Sequence, residues 1–92
     1  MNFTTVSGHG DAHDVILYSL STCSHCNEAK KFLQEKDQSF RYINVDEATR
    51  DEKQEITKFL ISNNLPIAFP VLIIDEKVIQ EFKPDEITKL LV

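Results

Sequence analysis

Glycine is nearly absent from this 92-residue chain, in which Gly8 and Gly10 are the only two. A dinucleotide-binding fingerprint and a phosphate-binding loop both need glycines where the backbone approaches phosphate. The sequence therefore excludes both nucleotide-binding motifs. For the same reason we expect no turn that depends on glycine after residue 10.

Long apolar runs, a basic excess and a cysteine framework are also missing. No run approaches the ~20 apolar residues of a membrane-spanning helix, and residues 1–14 lack the features of a secretory signal. Ten lysines and arginines against fifteen acidic residues give a net charge of −5, which disfavours nucleic-acid binding. Two cysteines cannot staple a secreted mini-protein. We expect one cytoplasmic domain with no membrane or nucleic-acid partner.

Apolar runs and amphipathic stretches alternate along most of the chain. Residues 1–13 show no hydrophobic period, so we interpret them as a flexible tail before a domain at 14–92. Strands are predicted at 15–20, 40–45, 71–74 and 78–82, and helices around 26–33, 49–60 and 84–91. The order is β-α-β-α-β-β-α, which predicts an α/β fold with a four-stranded mixed sheet and three helices. The first two strands are expected to be parallel and the last two to form an antiparallel hairpin.

Local signals mark the ends of the second helix. Thr49 and Glu52 form the S/T-x-x-E pattern of a capping box, in which each residue's side chain bonds the other's backbone. Asn63 and Asn64 fit the end of the same helix, because asparagine tolerates the left-handed conformation. Both signals predict a helix between these positions.

Cys23 and Cys26 stand three residues apart where the first predicted strand passes into the first helix. At a helix N-terminus, backbone N–H groups and the positive end of the helix dipole stabilise a thiolate. Cys23 would then attack a substrate disulfide, and Cys26 would resolve the mixed disulfide. The pair predicts thiol–disulfide chemistry.

Two other interpretations of the cysteine pair remain. C-x-x-C can be half of a zinc site, whose other half would have to be His9 and His13. These histidines precede the first predicted strand, in the reverse of the usual order, so we predict no bound metal. The two cysteines could also be buried free thiols without a role.

His25 and the Phe69-Pro70 pair each allow a functional and a purely structural interpretation. A protonated His25 would favour the Cys23 thiolate and make the couple more oxidising, or His25 could be an exposed residue with little effect. A proline at the start of a strand is tolerated for structural reasons alone. Alternatively, a cis bond at Pro70 would present the Phe69 backbone to an extended substrate opposite Cys23.

The order of strand, C-x-x-C, helix, strand, helix, X-Pro, hairpin and helix resembles the thioredoxin fold in its short, glutaredoxin-like form. The resemblance covers about residues 15–92, and its specific parts are 21–26, 69–71 and the hairpin that follows. It implies a nucleophilic Cys23, a resolving Cys26 and a cis Pro70. It also implies a substrate site that includes Thr22, His25, Phe69 and Pro70.

The chain departs from the common glutaredoxin pattern at two places. Glutaredoxins often carry a Gly-Gly pair that binds glutathione after the last strand, where this chain has Gln80-Glu81. A basic residue often precedes their cysteine motif, and residues 19–22 contain none. Residues 82–87 resemble redoxins that serve ribonucleotide reductase and accept electrons from thioredoxin reductase. The acidic approach to the second helix is similar to glutaredoxin-like proteins of anaerobic bacteria and methanogens.

The resemblance implies a monomeric, cofactor-free dithiol oxidoreductase that reduces protein or low-molecular-weight disulfides. We predict a flavoprotein donor of the thioredoxin-reductase type or a small thiol. Glutathione is not the expected reductant, because Glu81 adds a repulsive charge and Lys83 is the one nearby cation. The alternatives are a metal- or iron–sulfur-binding module that uses the C-x-x-C, and a glutathione-dependent glutaredoxin.

Overall fold

One mixed β-sheet flanked by helices organises the chain, which the computed structural model describes over all of residues 1–92. The strands are β1 (Thr4–Val6), β2 (Val15–Ser19), β3 (Phe40–Asn44), β4 (Val71–Ile74) and β5 (Lys77–Gln80). The helices are α1 (Ser24–Glu35), α2 (Arg50–Ser62) and α3 (Pro84–Leu90), and a short 3-10 turn occupies Val45–Glu47. None of the helices has the length and apolarity needed to cross a membrane.

The strands lie side by side in the order β1-β3-β2-β4-β5. β2 and β3 are parallel, and every other neighbouring pair is antiparallel. The predicted parallel pair and the predicted hairpin are therefore confirmed, as is the mixed character of the sheet. The antiparallel pairing of β2 with β4 places the end of β2 beside the start of β4, since Tyr18 is opposite Val71.

The prediction of a four-stranded sheet in the order β-α-β-α-β-β-α is wrong, because a fifth strand precedes the others. Thr4–Val6 pairs antiparallel with β3, with Thr4 opposite Tyr42 and Val6 opposite Phe40. Three residues are too few to show an alternating pattern. The strand forms because β3 would otherwise be an open sheet edge with unpaired backbone groups.

Gly8 holds the segment that follows β1 close to the loop before β3. Its backbone N–H donates to the Ser39 Oγ (2.9 Å), and the Ser39 hydroxyl donates to the Gly8 carbonyl (3.2 Å). A Cβ atom at Gly8 would lie 2.4 Å from the carbonyl oxygen of Asp37, so only glycine fits. The interpretation of residues 1–13 as a flexible tail concerns motion and stays a prediction, as does the domain boundary at residue 14.

The hydrophobic core lies on both faces of the sheet. One cluster joins β2, β4 and β5 to α1 and α3, with Leu17 and Leu33 fully buried. The other joins the opposite face to α2, with Tyr18 packed near Ile56 and Leu60. Because side chains alternate along a strand, the apolar run at the start of the domain supplies both clusters. The central strand β2 is thereby fixed between the two helical layers.

Local signals explain the ends of α2 and the β4–β5 turn. Thr49 and Glu52 form the predicted capping box, and Asn64 adopts a φ of 57° just beyond the helix. The turn between β4 and β5 consists of Asp75 (φ 48°) and Glu76 (φ 74°), so it adopts a conformation that glycine favours without containing glycine. The Asp75 carboxylate accepts a hydrogen bond from the Asp14 N–H (2.8 Å), which helps to hold this turn without glycine.

Replacing Gly8 with alanine is expected to detach β1, because the new methyl group would collide with the Asp37 backbone. Overpacking of this kind typically costs ~1–3 kcal/mol. Amide exchange in residues 4–6, measured by mass spectrometry, should speed up in Gly8→Ala, and the free energy of unfolding should fall. Gly10→Ala is the matched control, since its Cβ would meet no atom closer than 3.3 Å. Equal exchange in both variants would contradict the docking of β1.

Candidate active site

Cys23 occupies the N-cap position of α1, directly before the first helical residue. Its Sγ accepts a hydrogen bond from the backbone N–H of Cys26, with 3.2 Å between sulfur and nitrogen. The side chain is half-buried, so a substrate disulfide can reach the sulfur. A charge at this position also faces the positive end of the helix dipole. The Cys26 N–H and the start of the helix are thus placed to stabilise negative charge on an attacking sulfur.

The loop between β2 and α1, which leads to Cys23, is held by Asp46 in the 3-10 turn that follows β3. The backbone N–H of Ser21 donates to the Asp46 carboxylate (2.9 Å), and the Ser21 hydroxyl donates to its other oxygen. These bonds hold the pKa of Asp46 below its ordinary value. The carboxylate therefore stays ionised and keeps the loop in place at neutral pH.

Cys26 lies one helical turn further on and is fully buried. Burial raises the pKa of its thiol to about 11, with a smaller contribution from the hydrogen bond to Cys23. No disulfide joins the two cysteines in the structure. At neutral pH the buried thiol keeps its proton, while the sulfur of Cys23 is accessible. This asymmetry supports the predicted division of roles, with Cys23 attacking and Cys26 resolving.

A cavity of about 460 Å³ opens beside the first turn of α1. It is lined by His25, Ala68, Phe69, Pro70, Glu81 and Phe82. Because β2 and β4 are antiparallel, β4 begins beside the end of β2. Pro70, which precedes β4, therefore lies at the end of the sheet where the chain leaves β2 towards Cys23. The Phe69–Pro70 peptide bond is cis, as the resemblance to glutaredoxins implied.

Three of the four predicted substrate-binding residues line this cavity, namely His25, Phe69 and Pro70. Thr22 is exposed and does not line it. His25 is largely exposed, and its Nδ1 lies 3.6 Å from a carboxylate oxygen of Glu28. Their substrate-binding roles, and the effect of His25 on the redox couple, stay predictions.

Ala68 and Phe82 also belong to the site, although the sequence pattern did not indicate them, and Glu81 stood out only as a departure from a glycine pair. The hairpin register explains the position of Glu81. Val71 is opposite Gln80, so the next residue reaches Pro70, and the Glu81 N–H donates to the Pro70 carbonyl (3.1 Å). Counting the register back from the β4–β5 turn could have found this contact.

The histidines of the zinc alternative have other partners in the structure. His9 pairs with Asp37 and His13 with Asp75. No group of three or more histidine, cysteine, aspartate or glutamate side chains is placed to hold a metal ion. Within one chain, therefore, the cysteine pair has no further metal ligands beside it.

Comparisons with a family model and with individual relatives identify the same family. The glutaredoxin family model matches residues 15–79. Glutaredoxin 1 of Rickettsia conorii is 37% identical over 46 residues, which cover 50% of this chain and 45% of that protein. The glutaredoxin-like protein NrdH of Lactococcus lactis subsp. cremoris is 33% identical over 76 residues, which cover 83% of this chain and 97% of that protein. The chain thus matches less than half the length of the Rickettsia relative and nearly all of the Lactococcus one.

Solved structures show the same fold. The glutaredoxin from Methanosarcina mazei Go1 superposes with a TM-score of 0.87 at 37% identity, covering 97% of this chain and 86% of that one. The NrdH-redoxin from Escherichia coli superposes with a TM-score of 0.70 at 25% identity, covering 84% and 93%. The thioredoxin-like, glutaredoxin-type fold predicted from the sequence is therefore confirmed, apart from its strand count.

The two thiols should differ sharply in reactivity towards iodoacetamide. Because burial raises the pKa of Cys26 to about 11, its thiolate fraction at pH 8 is roughly 100-fold below that of an unperturbed thiol. Peptide mass spectrometry of the reduced native protein should find the label on Cys23 first. In urea, where both side chains are exposed, the difference should disappear. Equal labelling of the native protein would refute the assignment of a protected Cys26.

Proposed function

This chain belongs to the glutaredoxin family, and we propose that it is a dithiol oxidoreductase that passes electrons to disulfides through Cys23 and Cys26. Members of this family are thiol–disulfide oxidoreductases. The proposal rests on one observation. The accessible Cys23 sulfur accepts a hydrogen bond from the backbone N–H of the buried Cys26. A monomeric protein in the cytoplasm, with no bound cofactor, remains our prediction from the sequence.

The proposed reaction has two displacement steps. The Cys23 thiolate attacks one sulfur of the substrate disulfide, whose S–S bond breaks as a Cys23–substrate disulfide forms. The departing thiolate takes a proton from water. Cys26 then gives its proton to water and attacks the Cys23 sulfur, so the bond between Cys23 and the substrate breaks. The second substrate sulfur leaves as a thiolate and takes a proton from water. Two electrons pass to the substrate, and the protein is left with a Cys23–Cys26 disulfide.

The arrangement of the two cysteines serves both the reduction of the substrate and the later reduction of the protein. In the first step it stabilises the attacking thiolate at Cys23. When the protein is reduced again, Cys23 is the sulfur that a donor thiol can reach, because Cys26 is buried. The raised pKa of Cys26 keeps its thiol protonated, so Cys26 does not compete with Cys23 for the substrate disulfide before the mixed disulfide forms.

We propose a donor of the thioredoxin-reductase type, with a protein disulfide as the substrate. The relatives called NrdH support this choice, because the NrdH-redoxin from Escherichia coli has a thioredoxin-like activity profile. In this chain Glu81, an acidic residue, lies on the rim of the cavity beside Pro70. Glutathione carries two carboxylates, so this charge opposes its binding.

Substitution of each cysteine tests the division of roles. Cys26→Ser should accumulate a mixed disulfide through Cys23, because no second thiol remains to release the substrate. Cys23→Ser should lose disulfide reduction, since the remaining thiol is buried. Intact-protein mass spectrometry after incubation with a peptide disulfide checks both outcomes. A trapped adduct on Cys26, together with activity in Cys23→Ser, would reverse the assignment.

The choice of electron donor is tested by comparing two coupled systems at matched reducing power. We expect kcat/KM with thioredoxin reductase to exceed that with glutathione and glutathione reductase by at least about tenfold, since Glu81 lines the cavity and no lysine or arginine does. NADPH oxidation gives both values. Saturable glutathione-driven turnover in the low millimolar range would instead favour the glutathione-dependent alternative.

A further inference from the structure

Glu81 is held in a backbone conformation that suits glycine better than glutamate. Its φ is 65°, in the left-handed region, where a side chain with a Cβ is disfavoured. Its N–H donates to the Pro70 carbonyl (3.1 Å), which fixes the backbone at the cavity rim. Glycine would make the same backbone bond at lower conformational cost. The backbone thereby holds the Glu81 side chain at the rim of the cavity.

Glu81 is also the one uncompensated charge among the residues that line the cavity. His25, the other ionisable lining residue, lies 3.6 Å from the Glu28 carboxylate, which offsets its charge when it is protonated. Glu81 takes part in none of the ion pairs in the structure, and Lys83 forms none with it. The site therefore presents a net negative charge to whatever approaches Cys23.

The remaining walls of the cavity are apolar, and they strengthen the electric field of the Glu81 carboxylate inside it. Ala68, Phe69, Pro70 and Phe82 supply them, and Phe82 is braced by an edge-to-face contact with Phe32 (5.6 Å between ring centroids). Low-dielectric walls focus the field of a nearby charge. A cationic group that enters beside Glu81 gains attraction there, and an anionic group is repelled.

On the basis of the proposed oxidoreductase function, we propose that Glu81 selects cationic disulfides as substrates. The substrate class is a protein segment that carries lysine or arginine next to a disulfide-bonded cysteine. The chemical step is unchanged: the Cys23 thiolate displaces one substrate sulfur, which leaves as a thiolate and takes a proton from water. Glu81 acts by raising the encounter rate of cationic disulfides and lowering that of anionic ones.

The test uses the fully reduced protein, freed of reductant, as the electron source for three small disulfides. Cystamine carries two ammonium groups, 2-hydroxyethyl disulfide is neutral, and 3,3′-dithiodipropionate carries two carboxylates. The rate of protein oxidation is measured by rapid quench flow. Samples are quenched with acid at set times, and the remaining protein thiols are counted. Each rate is divided by that of free dithiothreitol with the same disulfide, which removes the probes' intrinsic reactivity.

The quantity that decides the proposal is the normalised rate ratio of cystamine to dithiodipropionate. In Glu81→Gln this ratio should fall by about 3- to 10-fold at low ionic strength, and the effect should shrink in 0.5 M salt. Glu81→Gly should lower the ratio equally without loss of thermal stability, because glycine suits this φ. Glu76→Gln is the matched control, since Glu76 is also exposed with a positive φ (74°) but lies at the opposite end of β5.

Peptide disulfides with lysine or glutamate beside the cysteine extend the test to the proposed substrate class, and Glu81→Gln should again reduce the preference for lysine. An unchanged ratio in Glu81→Gln, or an equal fall in Glu76→Gln, would overturn the role of Glu81 and leave the proposed function intact. A wild-type protein that reduced none of the disulfides would instead overturn the proposed function, and this inference with it.

Discussion

The hydrogen bond from the Cys26 N–H to the Cys23 sulfur is the contact on which the rest of the site depends. It forms because Cys23 caps α1 while Cys26 is already inside the first turn. The same turn buries the Cys26 side chain against the core and leaves the Cys23 sulfur accessible. One helix start therefore exposes one of two chemically identical side chains and buries the other, whose thiol pKa is raised, as a two-step exchange requires.

The sheet supplies the rest of the site through its register. The β2–β4 pairing places Pro70 at the edge where the chain turns towards Cys23, and the β4–β5 pairing places Glu81 beside Pro70. Each strand is fixed in register because its side chains pack into a helical layer on each face, so a slip by one residue would exchange the two faces. The cavity is thus a consequence of core packing.

Sequence reasoning found the features that depend on local patterns. The apolar run of β2, the capping box at Thr49 and the C-x-x-C at a strand–helix junction each leave a signal within a few residues. It missed β1 because three residues carry no period, and that strand depends on the open edge of β3. The left-handed β4–β5 turn left no signal either, because it contains no glycine and is held in part by the contact between Asp75 and Asp14. The contact of Glu81 with Pro70 depends on the register of the β4–β5 hairpin, which no pattern of neighbouring residues shows.

The central claim is that Cys23 and Cys26 form a reversible disulfide within one chain. The direct measurement is the number of free thiols per chain, counted by alkylation and intact mass, after equilibration in dithiothreitol buffers of graded potential. The account predicts a single two-electron transition from two thiols to none, at a potential between roughly −270 and −120 mV, where dithiol oxidoreductases operate. A stable one-thiol species, a disulfide-linked dimer or two thiols at every potential would contradict it.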